Sequence, residues 1–289
     1  MSDEEAATRT AERQWMGKAD THIHTLASDG VSDVEAILRR AVKLGLDVIA
    51  ITDHERIDAA VAAQSIAIAR DLPVEVIVGE EISTRGGHLV GLFLEERIRP
   101  WQALRTSVAQ VHEQGGLAIV AHPLVPYPLC ASARSIRRLM AEADPLYHPD
   151  ALEAFNPTTA RMPPSRRVPG FAEELGLAGV AASDAHRASR VGRAFTTFPG
   201  RSAADFRRAI AARDTGWGGE AYTWREQLGT FGLQLGKYLM AARDDLRGVI
   251  RRDGTGRDLG YPGGRARPPR FDARSDGASP GGPVGDERT

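Results

Sequence analysis

Asp47-Val48-Ile49-Ala50-Ile51-Thr52 holds a short, unbroken apolar run, Val48 to Ile51, that leads through Thr52 into Asp53-His54. A run of that length with successive apolar residues suits a strand covered on both faces, as in parallel sheets. Working outward, Val74 to Val78, Leu89 to Leu94, Leu117 to Ala121, Ala151 to Phe155 and Leu177 to Ala182 repeat the pattern. Helical stretches lie between them. Ser32 is read as an N-cap, with Glu35 three residues on completing a capping box, and Gly45 as the stop signal. Ile57 to Arg70, Trp101 to Gln114, Phe171 to Leu175 and Ala203 to Arg213 supply further helices. Strand and helix alternating six or seven times give an α/β fold, either a barrel or an open sheet.

Composition sets the outer limits. The chain has 289 residues and a formal net charge of -1, which excludes a strongly basic nucleic-acid coat. A single cysteine, Cys130, rules out an internal disulfide and a multi-cysteine zinc site. No window approaches the roughly 18 apolar residues of a membrane span, and MSDEEAATRT has no apolar stretch of signal-peptide length, so a cytoplasmic protein is expected. Residues 1–16 read as a flexible lead-in and 17–214 as the main domain. Residues 215–252 read as a helical extension, with Leu228, Phe231, Leu235, Tyr238 and Leu239 spaced to share a face. Residues 253–289 are rich in Gly, Pro and Arg and read as disordered.

Histidines and acids collect where the apolar runs end. They occur in Asp20-Thr21-His22-Ile23-His24 with Ser28-Asp29-Gly30 downstream, in Thr52-Asp53-His54, and in Gly79-Glu80-Glu81-Ile82-Ser83-Thr84 with His88 following. Ala121-His122-Pro123 and Ser183-Asp184-Ala185-His186 complete the set. His22 and His24, two apart, project from one face of an extended chain. In a parallel α/β domain the strand ends share one rim, where active sites are built. Crowding so many ionisable groups on that rim costs several kcal/mol per uncompensated group, and metal cations remove the cost. A ligand set of imidazole and carboxylate favours zinc, manganese or iron. Its size suits two or three ions.

These motifs, in this order over Lys18 to Pro199, resemble the PHP (polymerase and histidinol phosphatase) family. The resemblance implies a distorted (β/α)7 barrel with a trinuclear metal centre. It implies one ion on His22, His24, Glu81 and Asp184, a second on Glu81, His88 and His122, and a third on Asp29, His54 and His186. It selects Glu81 over Glu80, which lies on the opposite strand face and reads as a supporting or solvent-facing residue. Asp53 is expected to orient a histidine. His112 reads as a surface residue, and His148 as a loop residue near the rim, outside the site.

The implied chemistry is attack by a metal-held hydroxide, carried by His22, His24, Glu81 and Asp184, on a phosphate ester. Cys130 has no activating histidine near it in sequence, which argues against a covalent route. Arg161 and Arg187 are the arginines chosen to meet substrate phosphate. Aspartate in Ser28-Asp29-Gly30, where several relatives carry histidine, resembles the subgroup acting on small nucleotide phosphates or on RNA 5′ ends. The leading expectation is a phosphoesterase acting on a small phosphomonoester, a nucleotide or nucleoside bisphosphate. The alternatives are a 5′–3′ exoribonuclease on short RNA, a histidinol-phosphatase-like enzyme, and a non-catalytic scaffold. Few aromatics near the motif loops (Tyr127, Phe155, Phe195) favour the small substrate over RNA.

Overall fold

The strand read first is β2, Val48–Ile51, and all four of its residues are buried. It lies between β1 (Met16–Asp20) and β3 (Glu75–Thr84), parallel to both. The structure, a computed structural model, describes residues 16–223 and Glu226. The remaining strands are β4 (Gly87–Leu92), β5 (Leu117–Val120), β6 (Ala151–Phe155), β7 (Ala178–Ala181), β8 (Ala194–Pro199) and β9 (Gly216–Gly219). They form one sheet in the order β7-β6-β5-β4-β3-β2-β1-β8-β9.

The sheet is mixed, which corrects the parallel reading. β4 runs antiparallel to both β3 and β5, and β8 runs antiparallel to β1 and β9. An apolar run reports burial on both faces and carries no information on strand direction. The sheet curls until its two ends nearly meet. Thr196 on β8 accepts a hydrogen bond from Ala181 N of β7 at 2.9 Å and donates one to Ala181 O at 2.9 Å. Thr215 donates to Gly179 O at 2.7 Å. Gly179 has no side chain to obstruct this approach; a Cβ there would stand 3.1 Å from the Trp217 ring.

Helices pack around the outside and across one end. They are α1 (Val34–Leu44), α2 (Asp58–Ala69), α3 (Leu104–Glu113), α4 (Ala133–Met140), α5 (Val168–Leu175) and α6 (Ala203–Ala212). Asp33, not Ser32, caps α1 by accepting from Ala36 N at 2.7 Å; Ser32 instead accepts from Ala188 N at 2.9 Å. Gly45 closes that helix in the left-handed region, φ 63°. Ala19, Val48, Ile77 and Ile119 share a core with Phe206, Ala209 and Ile210 of α6, so that helix plugs the barrel end. Ile37, Leu38 and Ala41 of α1 pack with Ala60 and Ala63 of α2, and Val108 and Val111 of α3 pack with Ile136 of α4.

Residues 216–219 form β9 rather than the start of a helical extension. Residues 1–15, most of the expected C-terminal helix and the tail beyond residue 253 lie outside the described residues. Among the described residues, no helix is long and apolar enough to cross a membrane.

His112 corrects its surface reading. It is largely buried on α3, with Nδ1 2.8 Å from Leu146 O and Nε2 2.9 Å from Asp150 Oδ2. The Asp150 hydrogen bond raises its pKa above the usual histidine value. A histidine whose folded pKa is raised adds stability that is complete below about pH 6.5 and is lost as pH climbs through the folded value. The stability gap between wild type and His112→Gln should therefore be widest near pH 5.5 and narrow by pH 9. Paired thermal melts at the two pH values check this, and a gap that widens with pH would refute it. His148 donates Nε2–H to Glu142 O, 2.9 Å away, before β6 begins, and so lies away from the strand-end rim.

Candidate metal centre

Glu81 is the hub of the site. The hairpin β3–β4 pairs Ser83 with His88 and Glu81 with Val90, so Glu81 and His88 share the inward face. His88 Nδ1 lies 2.7 Å from Glu81 Oε1, and His122 Nε2 lies 3.2 Å from the same oxygen. The other oxygen, Oε2, is 3.2 Å from His22 Nε2, 3.2 Å from His24 Nε2 and 3.4 Å from His54 Nε2. Asp184 Oδ1 stands 3.4 Å from His24 Nε2 and 3.7 Å from His22 Nε2. Asp29 Oδ2 is 2.9 Å from His186 Nε2 and 3.7 Å from His54 Nε2. All nine residues singled out in the sequence thus come together.

The backbone explains why they do. Residues beyond the formal end of β1 stay extended: Ile23 bridges Ala185, and Thr52 N donates to Ile23 O at 2.8 Å. Ile23 therefore points into the outer core while His22 and His24 face inward, their ring centroids 5.1 Å apart. His54 bridges Glu81 in the same way beyond β2. His122 and Asp184 take left-handed backbone, φ 28° and 50°, which turns the chain at the ends of β5 and β7.

The donor set fits divalent cations. His22 Nε2, both nitrogens of His24 and His88 Nδ1 are buried without a hydrogen-bond partner, although carboxylates stand nearby. Ring nitrogens arranged this way, facing carboxylate oxygens a few ångströms off, are what an ion between them would bind. Four overlapping ligand groups result: His22, His24 and Glu81; His24, Asp184 and His186; His24, Asp29 and His54; and His54, Glu81 and His88. His24 belongs to three of them, which makes it more widely shared than the resemblance implies.

Charge in the cluster follows from its mixture of acids and imidazoles. Burial works against the Glu81 carboxylate, but the His88, His22 and His54 rings hold its pKa well below the usual value. Burial likewise opposes the charged form of His24, yet the Asp29, Asp184 and Glu81 carboxylates lift it to about 10. Burial lowers His54 to about 4, helped by the neighbouring His24 and His88 rings.

Other expectations need correction. Asp53 hydrogen-bonds no histidine among the described residues: it accepts from Thr25 N and Thr25 Oγ1, both at 2.7 Å, and from Ser28 Oγ. It pins the loop that carries Asp29. Glu80 does face away from Glu81, but it is fully buried rather than solvent-facing, and its Oε2 accepts from Ile98 N at 2.7 Å. Burial pushes its pKa up to about 8. Cys130 does have a histidine neighbour, since its Sγ is 3.2 Å from His122 Nδ1. Arg161 donates its Nε to Tyr222 O at 2.7 Å, tying the loop after β6 to the segment after β9. Arg187 is half-buried beside His186, and its side chain has no hydrogen bond or ion pair among the described residues.

Three polar residues were missed. Asp20 accepts from Ser183 N, Ser183 Oγ and Gly192 N, holding the loop of Asp184 and His186. Glu153 and Asn156, at and after the middle of β6, contact His22 and Asp184 respectively. Their signal was an acid inside the apolar run Ala151-Leu152-Glu153-Ala154-Phe155, where a carboxylate is buried only if something binds it.

Comparison with known proteins agrees with this geometry. The sequence profile of the PHP domain matches residues 20–138, and that of the PHP-associated region matches residues 165–215. An uncharacterised protein of Methanocaldococcus jannaschii is 39% identical over 120 residues, spanning 38% of this chain and 69% of its own length. A 5′-3′ exoribonuclease of Haemophilus influenzae is 37% identical over 106 residues, 35% of this chain and 38% of that protein. Among solved structures, a two-domain protein of Bacteroides vulgatus, described as containing a predicted PHP-like metal-dependent phosphoesterase, shares the fold. Its TM-score is 0.59 at 18% identity, over 76% of this chain and 70% of that one.

Proposed function

Because the chain belongs to the PHP domain family, we propose that it is a metal-dependent phosphoesterase that releases phosphate from a small phosphomonoester, a nucleotide or nucleoside bisphosphate. The observation that carries this reading is the convergence of six imidazoles on Glu81, Asp29 and Asp184, with four buried ring nitrogens left without hydrogen-bond partners.

His22, His24, Glu81 and Asp184 would hold one ion, Glu81, His88 and His122 a second, and Asp29, His54 and His186 a third. Bound zinc, manganese or iron supplies a water that ionises near neutral pH and positive charge for the phosphate oxygens. Glu81 presents Oε1 and Oε2 to different histidines, so this one carboxylate would serve neighbouring ions. His54, Asp29 and His122 are the most exposed side chains of the cluster, so an incoming phosphate would meet it there. Asp53 and Asp20 keep the two ligand-bearing loops in place.

Of the two arginines chosen from sequence, Arg161 has its Nε committed to Tyr222, which leaves Arg187 as the better phosphate contact. Arg187→Ala should raise KM for a nucleotide about tenfold, roughly 1.4 kcal/mol of binding, with metal content unchanged. A fall in kcat with no change in KM would remove Arg187 from the binding role.

Similarity to an exoribonuclease favours one second reading, removal of nucleotides from the 5′ end of short RNA. The deciding experiment is phosphate and nucleotide release from a panel: adenosine monophosphate, adenosine bisphosphate, histidinol phosphate and a 5′-phosphorylated RNA tetramer. The small nucleotides should show kcat/KM at least tenfold above the RNA. Preference for the tetramer would establish the second reading, and release from none would reduce the chain to a scaffold.

A further inference from the structure

Glu153 stands in the middle of β6, with 3% of its surface exposed. Three donors converge on its two oxygens. His22 Nδ1 meets Oε1 at 2.9 Å, while His122 N and Asn156 Nδ2 meet Oε2 at 2.7 and 2.9 Å. Asn156 Nδ2 also reaches Asp184 Oδ2 at 3.3 Å. One carboxylate is therefore linked to ligand residues that follow β1, β5 and β7.

We propose that Glu153 is a positioning residue that fixes His22 as the tautomer able to bind metal and anchors the backbone of His122 beside it. The inference rests on the metal reading given above. A neutral imidazole carries one N–H. Donating Nδ1–H to Glu153 leaves Nε2 with its lone pair, directed at Glu81 Oε2 3.2 Å away, and that buried Nε2 has no hydrogen-bond partner. Partners of this kind orient metal-binding histidines and raise their basicity. His122 N–H would otherwise be an unpaired donor at a residue whose φ of 28° suits few side chains.

Glutamine at this position cannot satisfy the same three donors, since it has one acceptor oxygen where glutamate has two. With its oxygen toward His22, its amide group opposes His122 N and Asn156 Nδ2. Reversed, the amide donates to His22 Nδ1, which places the imidazole proton on Nε2 and blocks metal there. Both orientations weaken the site.

Zinc titration of the full-length, metal-stripped protein tests the proposal, with nitrogen NMR of histidine-labelled, zinc-loaded wild type beside it. Glu153→Gln should bind zinc 10- to 100-fold more weakly. His22 in the wild type should show a protonated Nδ1 slow to exchange with water and a metal-bound Nε2. Wild-type zinc affinity in a folded Glu153→Gln protein would overturn the inference and leave the metal reading standing. If the variant does not fold, the wild-type spectrum decides: a proton on Nε2, or metal on Nδ1, would overturn it. Failure of wild type to bind zinc, manganese or iron would instead defeat the metal reading, and this inference with it.

Discussion

Glu81→Gln should reduce turnover by about 10³-fold or more, on the order of 4 kcal/mol of transition-state stabilisation. Metal occupancy should fall with it. The carboxylate faces five imidazoles through two oxygens, and an amide offers one weaker acceptor and no charge to the ions between them. Glu80→Gln provides the comparison. Burial holds the pKa of Glu80 near 8, so at neutral pH the side chain is mostly the uncharged acid, which glutamine closely imitates. Metal content should survive that substitution, and the rate should stay within about tenfold. Loss of metal from Glu80→Gln with retention in Glu81→Gln would place the hub of the site one residue early.

The contrast between these neighbours was legible in the sequence because a strand alternates its faces, and the hairpin preserves that alternation. What surrounds Glu80 was not legible. The segment that covers it, with Ile98 N donating to its carboxylate, arrives from beyond β4 and has no pattern of its own. Strands β2, β5 and β7 were readable because their runs carry no charged residue, and β6 was read despite Glu153 within it. β1 and β9 were not: Met16–Asp20 contains a glycine, a lysine and an aspartate, and Gly216–Gly219 has three glycines. β8 alternates buried and half-buried residues instead of running apolar throughout, and was passed over for that reason. Direction was hidden everywhere, since burial on both faces reads alike in parallel and antiparallel neighbours.

Site residues divide along similar lines. His54, His122 and Asp184 were found because they follow strands that were read, Glu81 because it follows the apolar run Val74 to Val78 inside β3, and His22 by its spacing from His24. Glu153 lies within a strand, and Asp20 at the end of one that was not recognised as a strand. Both act by holding other site residues, a role with no fixed spacing from the groups they support. Asp53 shows the converse, for its place beside His54 suggested a histidine partner while the fold gave it Thr25 and Ser28.

Removing the metals should lower the melting temperature by on the order of 10 °C. Ligands that bind only the native state stabilise it by RT ln(1 + [L]/Kd), about 4 kcal/mol at a thousandfold excess over Kd. For a domain of this size each kcal/mol is worth roughly 2–4 °C. The loss should be easier to produce at low pH. Metal binding requires neutral imidazoles, and the surrounding carboxylates favour protonated His24 in the metal-free cluster, with a pKa near 10. Protons therefore compete with metal more effectively as pH falls. A chelator should strip the protein faster at pH 6 than at pH 8, and calorimetric scans with and without chelator at both values would show it. Identical melting curves at both pH values, in protein that remains fully active, would mean that the cluster is held together by its own ion pairs.

Elemental analysis of the purified wild-type chain, with phosphate release from adenosine bisphosphate measured on the same sample, tests the central claim most directly. The account predicts two to three equivalents of zinc, manganese or iron per chain and activity that disappears and returns with them. Less than one equivalent in a sample with full phosphoesterase activity would contradict it.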